Sequence, residues 1–147
     1  MWKKLLNSFE PLQNEDPHFG LVEFQENEQD QTYYLMKDIV IGNSPNSISL
    51  TVETKDKVSS TAQFELFKLI TSNFPALQDS AFSYLKENSP AATLKELKSE
   101  FEVDSIYIDQ DKAGNRWELT LVSTEEAGGY CVIDFDGLKP VLLTREE

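Results

Sequence analysis

The apolar residues of this chain change their period twice, and that change limits the folds open to it. Ile48, Leu50 and Val52 alternate with Ser49, Thr51 and Glu53, the period of a half-buried strand. From Thr61 the spacing becomes helical: Phe64, Leu66, Phe67, Leu69 and Ile70 follow a possible cap at Ser59, Ser60 or Thr61. Asn73 and Pro75 end that helix or bend it into a second one carrying Leu77, Ala81, Tyr84 and Leu85, which Asn88, Ser89 and Pro90 stop. Thr93 and Glu96 form a capping-box pattern that opens a short third helix through Leu97.

Strand signals flank this middle on both sides. Phe19 to Phe24, Thr32 to Ile41 and Ser47 to Thr54 precede it. Ile106 to Asp109, Arg116 to Ser123, Tyr130 to Phe135 and Pro140 to Thr144 follow as an antiparallel meander with glycine-bearing turns. The expectation is one α+β domain: an antiparallel sheet with a central segment of two to three helices packed on one face. A chain of 147 residues fits a single domain over 1–147, with residues 1–17 as N-terminal helix and linker and 18–147 as the α+β body. Within the N-terminal part, Trp2, Leu5, Leu6 and Phe9 make a short amphipathic stripe, and Gln13 to Pro17 reads as a polar linker.

Charge narrows the possible partners. There are 26 Asp plus Glu against 13 Lys plus Arg, a net charge of −13. Such a chain repels nucleic acid and anionic membrane and attracts a basic protein. Nine Phe, five Tyr and two Trp supply the bulky apolar side chains that acidic disordered segments lack, so the chain is expected to fold. Residues 101–147 carry eleven acids and four bases, residues 51–100 seven and six, and residues 1–50 eight and three. The excess therefore belongs to the strand-rich ends. If their loops lie on one side, Glu26, Glu28, Asp30, Asp109, Asp111, Glu125 and Glu126 form an acidic face, with Tyr33, Tyr34 and Trp117 as candidate aromatic anchors for a partner.

Apparatus for chemistry is sparse. His18 is the single histidine and Cys131 the single cysteine, so neither a Cys/His metal cluster nor an intrachain disulfide can be built. No G-x-S-x-G elbow accompanies His18, and neither a Walker loop nor a G-x-G-x-x-G sequence occurs. Asp109, Asp111 and Gly114 fall at positions 1, 3 and 6 of a calcium loop, but Ala113 and Thr120 occupy positions 5 and 12, which favours a plain hairpin turn. No catalytic residue, cofactor or metal is expected. A secretory core needs about 7–15 apolar residues, and Asn7, Ser8 and Glu10 interrupt the N-terminal stretch too early. With no apolar run near about 18 residues either, a cytoplasmic protein without a membrane partner is expected.

Several of these stretches together resemble a known group. Phe19-Gly-Leu-Val-Glu-Phe, the strand from Tyr33 to Ile41, the alternation from Ile48 to Thr54, the aromatic helix from Thr61, Trp117-Glu-Leu-Thr-Leu, Glu125-Glu126, Gly129-Tyr-Cys-Val and Asp136-Gly137 are similar to small bacterial domains of unknown function among polymorphic-toxin and contact-dependent immunity proteins. The resemblance spans roughly residues 18–144 and rests on strand patterns and turns. It implies an immunity protein that binds a cognate, cytoplasm-acting toxin domain stoichiometrically, with no catalytic residues carried over. A regulatory or adaptor module for another basic protein is the alternative.

Overall fold

In the computed structural model, residues 12–42, 46–110, 115–125 and 128–146 are described. Among the described residues eight strands form one sheet in sequence order: β1 (Leu12–Asp16), β2 (Gly20–Asn27), β3 (Thr32–Ile39), β4 (Ile48–Thr54), β5 (Phe101–Ile108), β6 (Arg116–Ser123), β7 (Tyr130–Asp136) and β8 (Lys139–Glu146). Neighbours are antiparallel except β4 and β5, which run parallel. A parallel pair needs a crossover, and the helical middle of the chain supplies it. The crossover comprises α1 (Thr61–Ser72), α2 (Phe74–Glu87) and α3 (Leu94–Glu100).

The α+β class holds. Ser60 is the residue that caps α1, and it forms a capping box with Gln63; Thr93 and Glu96 do the same for α3. Each box satisfies amide groups that the first helical turn leaves without a partner. Two expectations change. Gln13 to Pro17 is not a linker, because Leu12–Asp16 is an edge strand paired with Phe24 to Gly20. Glu26, counted among the loop acids, belongs to β2, because Gln25 and Glu26 pair with Tyr34 and Tyr33 and so have backbone partners despite their polarity. The stripe from Trp2 to Phe9 lies outside the described residues.

The three helices among the described residues pack on one sheet face. Strand alternation sends Val22, Leu35, Leu50, Val52, Ile106, Ile108, Leu119, Leu121, Ile133 and Phe135 to that face, where they meet Leu66, Ile70, Leu77, Leu85 and Leu97 from the helices. Each such side chain contributes about 1.5–3 kcal/mol when taken out of water. Trp117 is 1% exposed within this core, stacked on Phe135 at 4.4 Å. Its Nε1 donates to Gly137 O at 2.7 Å, and Gly137 makes the β7–β8 turn with φ +61, a conformation that favours glycine. Trp117 is therefore corrected from partner anchor to core residue: an indole this deep cannot reach another protein.

A second tie fixes the edge. Asp16 is buried, and its carboxylate accepts the amides of His18 and Phe19, each at 3.0 Å, the Ser59 amide at 2.8 Å and the Ser59 hydroxyl at 2.6 Å. Burial alone raises a carboxyl pKa, but these bonds to the ionised form outweigh it, and the Asp16 pKa is lowered. This knot fastens the β1–β2 turn to the chain entering α1.

Candidate functional site

The sheet face opposite the helices receives what the alternation excludes from the core. Glu15, Glu23, Asp38, Glu53, Glu118, Asp134, Asp136 and Glu146 all occupy positions of that parity. Strand cations distribute differently. Lys37 and Arg145 belong to the helix face, where Lys37 Nζ donates to Phe19 O at 2.8 Å and Arg145 to Ser89 Oγ at 2.9 Å. Arg116 and Lys139 share the open-face parity and stand at one end of that face, both in register with Asp136.

Register aligns part of this face into a row crossing five strands. Tyr34 on β3 pairs with Glu53 on β4; Tyr107 on β5 pairs with Glu118 on β6; Glu118 pairs with Asp134 on β7. Between Glu53 and Tyr107, the hydroxyl of Tyr107 closes the row by donating to Glu53 Oε2 at 2.7 Å. Asn27 on β2 donates to Tyr34 Oη at 2.9 Å and to Asp30 Oδ2 at 3.1 Å, which brings the β2–β3 turn to the end of the row.

The electrostatics follow from burial and like charge. Glu53 is only 8% exposed, its carboxylate closed in by the tyrosine beside it. Burial raises the Glu118 pKa, with Asp134, Asp109 and Glu53 adding repulsion. Burial likewise raises Tyr107, reinforced by its bond to Glu53, and raises Tyr34, reinforced by Glu53 and Asp30. Carboxylates opposed in this way are costly to one another, and a cation laid on the row relieves that cost.

The candidate residues read from the sequence do not form one patch. Asp30 and Glu28 lie in the turn after β2, and Asp109 follows β5, all at the end of the sheet where β4 and β5 finish. Glu125 follows β6 at the opposite end, next to the α3 terminus, where the Thr124 amide donates to Glu100 O at 2.7 Å. The single acidic loop face is thus corrected, because antiparallel strands send alternate turns to opposite ends. Glu26 is exposed but of helix-face parity, paired with Tyr33, whose ring carries Lys57 Nζ at 5.7 Å from its centroid. Of the aromatic candidates only Tyr34 belongs to the open row. Asp111 and Glu126 lie outside the described residues.

Glu53, Tyr107, Glu118 and Asp134 were missed as site residues, although their outward parity was available. In Trp117-Glu-Leu and Ile133-Asp-Phe the apolar neighbours face the core and turn the acid outward. His18 Nδ1 lies 3.0 Å from Ser59 Oγ, but that hydroxyl is buried and held by Asp16, so this group is a structural knot. Among the described residues no group of His, Cys, Asp or Glu is arranged to hold a metal ion, and no helix is long and apolar enough to cross a membrane. Comparisons with protein-family models, with curated proteins and with solved structures each found no match for this chain.

Proposed function

We propose that this chain is an immunity-type inhibitor: it binds a basic, cytoplasm-acting toxin domain stoichiometrically and neutralises it, without turning over a substrate. The observation that carries this reading is the concentration of strand carboxylates on the open sheet face, where the cations Arg116 and Lys139 sit only at one end beside Asp136. Such a face offers a steering field and a binding surface at once. Nuclease-like toxins hold phosphate with cationic grooves, so an acidic inhibitor competes for the same surface and is drawn to it rapidly. A standard interface of about 1,200–2,000 Å² is enough for tight inhibition.

The test is protection in cells. The product of the gene immediately upstream, expressed in a laboratory bacterium, is expected to kill, and co-expression of this chain is expected to restore growth. Changing Glu118 and Asp134 together to lysine is expected to abolish protection while the protein still folds. An upstream product that is harmless, or protection indifferent to these two changes, overturns the reading. Binding of a non-toxic regulatory protein through the same face would establish the adaptor alternative.

A further inference from the structure

We propose that the partner docks on the outer edge of β8, between Leu142 and Glu146, by adding an extended segment bearing Lys or Arg as a further strand of the sheet. This rests on the basic-partner reading above and specifies how that partner is held. The row of Tyr34, Glu53, Tyr107, Glu118 and Asp134 continues in register to Leu142, which is 53% exposed. The row therefore runs out at an edge. Among the described residues β8 has β7 on one side and no strand on the other.

Edge strands are normally blunted against pairing by charge, proline or bulges. Lys139, Pro140 and the register shift between Asp134 and Phe135 blunt one end of β8. Leu142, Leu143 and Thr144 carry no charge, and their side of the strand is left open. The other edge differs: β1 has five residues, and its Asp16 is consumed by the knot with Ser59.

Charge selects the occupant. A second copy brings another −13, and placing Leu142 opposite itself in an antiparallel pair sets Arg145 against Lys139. A basic segment meets Glu146 on the open-face side of the edge and reaches Asp134 on β7 past Leu142, with Tyr130, 43% exposed and paired with Glu146, beside them, while Arg145 is turned to the helix face and bonded to Ser89 Oγ. Main-chain bonds to β8 supply affinity, and the alternate side chains facing these acids supply specificity.

The experiment uses the full chain and a synthetic peptide alternating Lys and Val, with an alternating Glu and Val peptide as control, followed by amide exchange. The Lys peptide is expected to slow exchange of the outward amides within Leu142–Glu146, and the Glu peptide to leave them unchanged. Leu142→Lys, at an exposed position, is expected to weaken binding by about tenfold. Val58→Lys, the same charge change at a loop residue 45% exposed, is expected to leave binding unchanged. Protection confined to β1 or absent from β8, equal binding of both peptides, or equal weakening by both lysine variants overturns the docking edge. Those results leave cellular protection and its loss in the Glu118 and Asp134 variant as a separate measurement, so the inhibitor reading stands or falls on its own.

Discussion

Tyr107 donates its hydroxyl to Glu53 Oε2 at 2.7 Å beside the seam where β4 and β5 run parallel. The bond joins two segments separated by the whole helical crossover, and it gives a nearly buried carboxylate its neutral donor. The backbone of the same two strand ends is tied from the other side, where Gln63 Nε2 donates to Glu53 O at 2.6 Å and to Asp109 O at 3.1 Å. The parallel seam is held from both faces.

Tyr107→Phe is expected to destabilise the protein by about 1–3 kcal/mol, because a hydrogen bond to a charged acceptor is lost and Glu53 stays buried. Chemical denaturation measures it. In a double-mutant cycle with Glu53→Gln the two losses are expected to be less than additive; strict additivity would mean that the pair does not interact.

Glu118→Gln is expected to stabilise the protein at neutral pH by a few tenths to about 1 kcal/mol, a figure kept small because the carboxyl is partly solvated. The folded-state pKa of Glu118 is raised, so its ionisation opposes folding: the wild type gains stability as pH falls through that value, and the advantage of the variant disappears there. Melting temperatures of both proteins between pH 4 and pH 7 are the measurement.

Asp16→Ala is expected to cost at least about 2 kcal/mol, since amides at the β1–β2 turn and the Ser59 amide lose their acceptor. The sign with pH is opposite to that of Glu118. The folded pKa of Asp16 lies below its ordinary 3.8, so its contribution is present above that value and is lost as pH falls through the folded one. A difference between wild type and variant that persists unchanged into strong acid would contradict this.

Cys131 is expected to react with thiol reagents only as the protein unfolds. It is buried, and burial raises its thiol pKa although Arg145 lies close enough to oppose the shift. The labelling rate is expected to follow the unfolding equilibrium in denaturant; rapid labelling of native protein would place the thiol at the surface.

The sequence by itself determined the class of the fold, a helical middle of two to three helices with the Thr93 cap of the last, and the alternation that turns apolar strand residues to the core. These are local properties: a period of 2 or 3.6 and a Thr-x-x-Glu box act over a few residues. It equally determined the excess of acid. It did not show β1, because Leu12–Asp16 carries no apolar alternation and is a strand only through its pairing with β2. Nor could it separate Trp117 from Tyr34 as anchors, since both stand in strands and only packing buries one at 1% exposure while leaving the other on the open row.

Only the tertiary structure decided which acids act together. Glu53 and Glu118 are 65 positions apart in the chain, and their common row depends on the register of two successive strand pairs, one of them parallel across the helical crossover. Alternation tells each carboxylate which face it takes. Register, set by how the strands dock on one shared core, tells it which neighbours it has. The acid loops chosen from sequence were separated for the same reason, because an antiparallel chain sends successive turns to opposite ends of the sheet, which places Asp30 and Asp109 together and Glu125 away from both.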